Sequence, residues 1–290
     1  MDDCSRVNGA SAYLRAYPIV VMRIPSHGAT HDQHRHDFQE LVIIVGGKGK
    51  HWVEDEVYPL EAGDTFVILG DMRHGYPEVD HLSLINILYD MRQLNLPLAD
   101  LGTLPGYHAL FNLEPQVRRQ GKLRNRLRLS VEDLTEALRL VAELEEELAS
   151  DAPGHQFLAN ANLMRLIGFL SRRYSQVEAA GGRTVQQLSK LLGHMERHYA
   201  KPMTVKDMTQ LAHMSQTSLM RTFKRLLGHS PLEHLIRLRI AHAGRLLRHS
   251  DLPLAVIAER TGFCDSNYLS RQFRQIVGVP PSEYRVRKRV

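Results

Sequence analysis

The chain has 290 residues, 43% of them hydrophobic, and a net charge of +5. That length suits two globular domains rather than one, and the lack of any apolar run of bilayer-spanning length excludes a membrane-spanning helix. The charge is unevenly placed: residues 184–290 hold 18 Lys and Arg against 7 Asp and Glu, and the rest hold 19 against 25. A polyanion is therefore expected on the C-terminal part alone. Cys4 and Cys264 are the only cysteines, which excludes a disulfide framework. The start, MDDCSR, lacks the basic and apolar pattern of a leader, so the expected place is a reducing cytoplasm, with no membrane partner.

In chain order, Tyr17–Ile24 reads as an edge strand with Pro18 near its start. From Pro25 to Tyr89 short apolar runs alternate with turn residues. Glu40–Val45 is one strand, Gly46-Gly47-Lys48-Gly49 a turn, and Lys50–Tyr58 a second strand. Gly63–Leu69 and His81–Tyr89 are two more. Strands at this spacing predict a β-sandwich or small barrel.

His34, His36 and Glu40 share one parity on an extended chain and so one face. With His74 they offer three imidazoles and a carboxylate to the barrel interior. That set suits a divalent transition metal. It equally suits the hydroxyls of a sugar, with Trp52, Tyr76 or Tyr89 to stack on its apolar face. Ordinary rim histidines are the third reading. The sequence requires no cofactor. Gly28, His34, His36, Glu40 and Gly47 resemble the first cupin motif without a gap, and Gly63-Asp64 with His74 resemble the second.

Past Tyr89, prolines 97, 105 and 115 mark an irregular stretch, with a short helix at Tyr107–Leu113. Ser130 can cap a helix whose first turn holds Glu132 and Asp133. Its apolar stripe is Leu134, Leu138, Val141, Leu144 and Leu148. Phe157–Tyr174 is a second helix. Two readings of this pair stay open: packing on the barrel, or the seam of a homodimer. Ser175–Arg183 is small and polar and reads as the linker.

The C-terminal part contains one unit twice. Leu254–Tyr284 predicts a helix-turn-helix: Ile257, Ala258 and Phe263 at the crossing, Gly262 in the turn, Asp265 or Ser266 as cap, and Leu269, Phe273 and Ile276 facing the core. Val205, Met208, Thr209 and Met214 precede Leu254, Ile257, Ala258 and Phe263 by 49 positions. Leu219, Arg221, Phe223, Gly228 and Pro231 precede Leu269, Arg271, Phe273, Gly278 and Pro281 by 50. A repeat that keeps core positions and an outward arginine is a specific signal. Thr184–Tyr199 is the first helix of this domain. Pro231–Arg248 joins the two units and is expected to bury Leu235, Leu238, Ala241, Leu246 and Leu247. Arg285–Arg289 is a basic tail suited to phosphate.

At these residues the chain resembles the AraC/XylS family of bacterial transcription regulators. The family pattern runs through Ser215–Pro231, Arg239–Leu247 and Ile257–Arg285. Two departures are Leu269, where the family usually has Phe, and His213, at the turn position that Gly262 holds in the second copy. More loosely, Pro25–Tyr89 resembles the sugar-sensing members, those of rhamnose operons more than arabinose regulators. This resemblance implies a cupin-like sensor for an effector, often a monosaccharide.

The expected fold is α+β: a cupin-like β-barrel over 1–129, a helical dimerisation segment over 130–174, a linker over 175–183, and an all-α double helix-turn-helix domain over 184–290. The expected function is a sequence-specific, effector-responsive activator of carbohydrate genes. Its partners are double-stranded promoter DNA, a monosaccharide effector, RNA polymerase and a second copy of the chain. The recognition helices are about Ser215–Leu227 and Asp265–Val277. Gln216, Thr217, Met220 and Arg221, then Ser266, Asn267, Ser270 and Arg271, are placed to face bases, and Lys224, Arg225 and Arg274 to hold phosphates. The alternative is a metal-dependent cupin enzyme with an accessory DNA-binding domain. Against it, no second catalytic group accompanies the candidate ligands.

Overall fold

The computed structural model describes residues 5–6, 14, 17–30, 32–94, 96, 100–121, 126–177 and 182–286. They form two compact units, residues 1–189 and 190–290.

The first unit is built on two long antiparallel strands, β4 (Gln39–Val53) and β7 (His74–Tyr89). Different neighbours flank the two halves of this pair. β6 (Asp64–Ile68) pairs with Glu40–Ile43, and β5 (Glu56–Glu61) with Lys48–Val53. On the other side β2 (Ile19–Ile24) pairs with Leu84–Tyr89, and β3 (His34–Arg35) with His74. β1 (Ser5–Arg6) runs parallel to β3, and β8 (Leu127–Arg128) antiparallel to β6. Leu41, Val42, Ile43 and Ile44 are all fully buried, so both faces of β4 are covered along its first half.

Three strand expectations need correction. Gly46–Gly49 is no turn; β4 runs straight through it, with register shifts against β7 at Ile44/Gly46 and Gly46/Lys48. These are bulges, and they bend the pair. Gly47 has φ +73°, and a Cβ there would lie 2.1 Å from the His81 carbonyl oxygen. The chain reverses instead at Glu54-Asp55, with Glu54 at φ 51°. So Lys50–Val53 finishes β4, and Glu56–Tyr58 opens β5. Likewise β7 begins at His74, not His81; His81, at φ 47°, lies within the strand where the register slips. A glycine run carries the same letters for a bulge as for a turn, and only the partner strand decides between them.

After β7 the chain becomes helical. Pro105–Tyr107, a π-type turn at His108–Leu113 and α1 (Glu114–Arg119) are continuous. α2 (Val131–Leu148) starts at Ser130, whose side chain accepts from the Asp133 amide. α3 (His155–Gln176) packs antiparallel to it, with Arg173 on Asp133 and Arg165 on Glu143. In α2, Ala137, Leu140, Val141 and Leu144 are buried, while Leu134, Leu138 and Leu148 are half-buried. Of the expected linker, Ser175 and Gln176 belong to α3 and Gly182 and Arg183 to α4 (Gly182–His198); residues 178–181 lie outside the described residues.

The second unit continues with α5 (Val205–Ala212), α6 (Gln216–Leu227), α7 (Pro231–His249), α8 (Leu254–Arg260), α9 (Ser266–Val277) and α10 (Pro281–Val286). Ile240, Ala243 and Leu247 of α7 form a core with Ile257, Ala258, Phe263, Leu269 and Phe273. Ile276 packs against this core, partly buried. Ala241 is exposed, and Leu238 and Leu246 are only half-buried. Leu235 and Leu247 are buried as expected, and Ile240, Ala243 and Gly244 complete the buried line of α7 in place of Leu238, Ala241 and Leu246. In the basic tail Arg285 donates to the Leu252 carbonyl at 2.6 Å, so it braces α10; residues 287–290 lie outside the described residues. Among the described residues no helix is long and apolar enough to cross a membrane.

The bulge gives a test. Gly47→Ala adds a clash with the β7 backbone to a strained φ, and should destabilise the chain by more than about 2 kcal/mol. Gly154, at φ 92° with open space around it, is the control. Gly154→Ala should cost about 1 kcal/mol, the backbone term alone. Urea denaturation of both variants compares them; equal costs would mean that the bulge tolerates a side chain.

Candidate functional site

In the second unit the two repeats build the same local structure. α6 and α9 are 12 residues each. Ser215 caps α6 through the Ser218 amide, and Asp265 caps α9 through the Tyr268 amide. Gly228 and Gly278 end them at φ 81° and 87°. Leu219 and Phe223, and Leu269 and Phe273, are fully buried. Each helix therefore presents its other face outward. On α6 that face carries Gln216, Thr217, Met220, Arg221, Lys224 and Arg225, all exposed. On α9, Asn267, Arg271 and Arg274 are exposed, and Ser266 and Ser270 are half-buried. Ser270 donates to the Ser266 carbonyl at 2.8 Å. The Arg271 guanidinium lies 5.8 Å from the Tyr268 ring centroid.

The turns differ as the sequence suggested. A Cβ on Gly262 would meet the Ala200 backbone at 2.7–2.9 Å, so only glycine fits there. His213 instead takes the left-handed conformation itself, at φ 48° and ψ 46°, as the C-cap of α5.

In the first unit the structure brings His34, His36, Glu40, His74 and Tyr76 together. His36 and Glu40 are 4% exposed and His74 is 1%. His36 Nε2 lies 3.0 Å from Glu40 Oε2, and His74 Nε2 lies 3.6 Å from the same oxygen. The other nitrogens are tied down: His36 Nδ1 meets the Phe38 carbonyl at 2.9 Å and His74 Nδ1 meets the Met72 carbonyl at 3.1 Å. A carbonyl can only accept, so both Nδ1 atoms carry protons. Both Nε2 atoms then face a carboxylate. Burial opposes ionisation of Glu40, yet its hydrogen bond with His36 and the nearby His74 imidazole outweigh it and hold the carboxyl well below its usual range. His34, its ring 4.1 Å from that of His74, is held down to about 4 by burial and by the charge of His74.

Two acceptors cannot face each other at 3.0 Å, so a proton or a cation sits between His36 and Glu40. A proton makes a buried imidazolium–carboxylate pair. A divalent transition metal also fits, since ligand atoms of His36, Glu40 and His74 lie within 4.8 Å of one another and carbonyls orient both rings. Those three would hold it, and as a Lewis acid it would bind hydroxyl oxygens.

Two expected stacking residues lie elsewhere. Trp52 is on the opposite face of β4 from buried His51, in an outward groove with Lys50, Val57, Pro59, Pro77 and Glu78. Tyr89 follows Leu88, which pairs with Glu40, and so points to the other face of β7, towards Tyr107. Trp52 is reversed because the bulge in β4 shifts its parity against Glu40, whereas Tyr89 takes the opposite face from Leu88 by simple alternation.

Sequence reasoning missed three residues. His51 is fully buried, with its ring 5.1 Å from that of Tyr76 and 6.0 Å from that of His74. Arg118 on α1 is fully buried, donates to His51 Nδ1 at 3.4 Å, and pairs with Glu114 at 2.9 Å. Its guanidinium lies 4.3 Å from the Phe66 ring centroid. The i,i+4 spacing of Glu114 and Arg118 was visible, but on a helix such a pair is usually a solvated one.

A barrel with a buried polar cluster, followed by paired recognition helices, is the layout of a ligand-responsive DNA-binding regulator. The comparisons agree. The AraC-like ligand binding domain matches residues 18–167, and a helix-turn-helix domain matches residues 208–287. The chain is 31% identical over 254 residues to the HTH-type transcriptional activator RhaR of Escherichia coli (strain K12), across 87% of this chain and 86% of that one. RhaR of Mannheimia succiniciproducens is 29% identical, across 88% and 87%. A solved transcriptional regulator with an AraC-type DNA-binding domain, from Chromobacterium violaceum, is 25% identical over 35% of this chain and 91% of its own, with a TM-score of 0.34. The chain belongs to the AraC family of transcription regulators, with a cupin-like barrel for a small-molecule effector and a helix-turn-helix domain for DNA.

Proposed function

We propose that this chain is an effector-responsive activator of carbohydrate genes, and that its effector is a neutral monosaccharide of the rhamnose type. The observation that carries this is the buried set His36, Glu40 and His74, inside the barrel of a chain that also bears two exposed arginine-bearing helices. The likeness to regulators named as transcriptional activators supports the sign, and activation makes RNA polymerase a partner. A regulator of promoters works in the cytoplasm. Catalysis is not part of this reading, which rests on the likeness to regulators named as transcriptional activators. The metal reading stands second, on the converging Nε2 atoms alone.

For the DNA interface, Arg221→Ala and Arg271→Ala should each cost roughly 1–3 kcal/mol of binding and relax specificity in separate halves of the site. The halves should lie about 10 bp apart on one face, in direct orientation. Footprinting of both variants checks this; a substitution without effect removes its helix from base readout.

For assembly, we place the homodimer seam on the half-buried edge of α2. Leu138→Glu should give folded monomers by sedimentation, because Leu138 retains exposure in the single chain. Val141 is fully buried, so Val141→Glu should unfold the unit instead. A Leu138→Glu variant that stays dimeric moves the seam elsewhere.

For the effector, His36→Ala and Glu40→Ala should abolish the promoter response to sugar. Basal DNA affinity, carried by the second unit, should stay within about 3-fold, since a ligand regulates only through differential affinity for two states. A full response in both variants would put the effector outside the cluster.

A further inference from the structure

Among the described residues, His51 Nε2, His74 Nε2 and the Tyr76 hydroxyl are buried with no hydrogen-bond partner. Each belongs to a residue at most 2% exposed. Buried polar atoms without partners are rare, and each implies a group that completes it. Their proton states fix what that group must be.

His51 Nδ1 receives a hydrogen bond from the Arg118 guanidinium at 3.4 Å. A guanidinium only donates, so Nδ1 is an acceptor. Burial and the Arg118 charge hold the ring well below its ordinary pKa, so it is neutral and its single proton is on Nε2. Arg118 is itself fixed by Glu114, and both are at most 1% exposed. His51 thus presents an N–H donor whose tautomer the ion pair sets. The Tyr76 hydroxyl belongs to the ring beside that of His51, with centroids 5.1 Å apart. Across from them, Glu40 accepts. Each cationic or imidazole group near His51 already faces a carboxylate: Arg118 meets Glu114, Arg126 meets Asp64, and His36 and His74 both meet Glu40. An anion buried here would find no unpaired cation to offset its desolvation.

We infer that His51 is a specificity-determining effector contact, held by Arg118 and Glu114, and that it selects a neutral polyol which accepts from His51 Nε2 while donating to Glu40. This rests on the sugar reading above. It adds a residue and a polarity that the histidine motif does not contain.

Calorimetry on the full chain tests it, with L-rhamnose, L-fucose and D-galactose as probes beside their aldonates. At least one neutral sugar should bind, and its aldonate should bind at least about 10-fold more weakly. His51→Leu should weaken the sugar by at least about 10-fold, as expected for an effector oxygen that loses its donor. His51→Gln, which can accept from Arg118 and still donate, should stay within about 3-fold of wild type. If His51→Leu binds as wild type does while His36→Ala loses binding, the inference falls and the proposed function stands. An aldonate that binds more tightly than its sugar overturns the neutral polyol. If no probe binds, both fall. Should His51→Leu fail to fold, the imidazole 15N shifts of wild type decide: the Nε2–H tautomer is expected, and Nδ1–H overturns the inference.

Discussion

The sensor unit depends on the bend in the β4–β7 pair. Two strands of 15 and 16 residues would otherwise form a long ribbon. The bulges near Gly47 and His81 let one half of the pair face β6 while the other faces β5. That curvature brings Glu40, from one half of β4, towards His51 and the start of β7, where His74 and Tyr76 sit. Glu40 and His51 are eleven residues apart on a single strand, so a straight strand would separate them by about 36 Å at 3.3 Å per residue. The polar cluster is thus a product of a ladder whose register shifts at Ile44/Gly46, Gly46/Lys48 and Lys50/Trp52.

What the sequence revealed follows from how local each signal is. The two helix-turn-helix units were legible almost to the residue, because caps, turn glycines and apolar spacing are all short-range. Ser215, Asp265, Gly228 and Gly278 carry that information within their own helices. His34, His36, Glu40 and His74 were legible because side chains of one chemical kind cluster in the chain. His51 and Arg118 were not. They lie 67 positions apart, and each is unremarkable alone: a single histidine in a strand, and an arginine on a short helix. Trp52 and Tyr89 were misplaced because aromatic type says nothing about which face of a bulged strand a residue takes.

The two repeats also differ in how they tolerate their turns. Gly262 is squeezed against the Ala200 backbone, so any side chain must displace main chain there. His213 takes the left-handed conformation with a side chain in place, and that side chain is exposed. The second copy therefore depends on close packing with the segment after α4, which Arg239 also grips through the Tyr199 and Lys201 carbonyls at 2.8 and 3.0 Å. The first copy carries the cost in its own backbone.

The continuous helix α7, 19 residues long, joins the two recognition units of one chain. Once the first helix has docked, the second no longer searches the cell; it samples its half of the groove at the millimolar local concentration typical of a short tether. Each helix can then be individually weak while the pair is tight. On the proposed reading, with both helices docked in direct orientation, a bound chain has a front and a back. Such a chain would read an arrow along the DNA, and so would distinguish the two directions away from its own site.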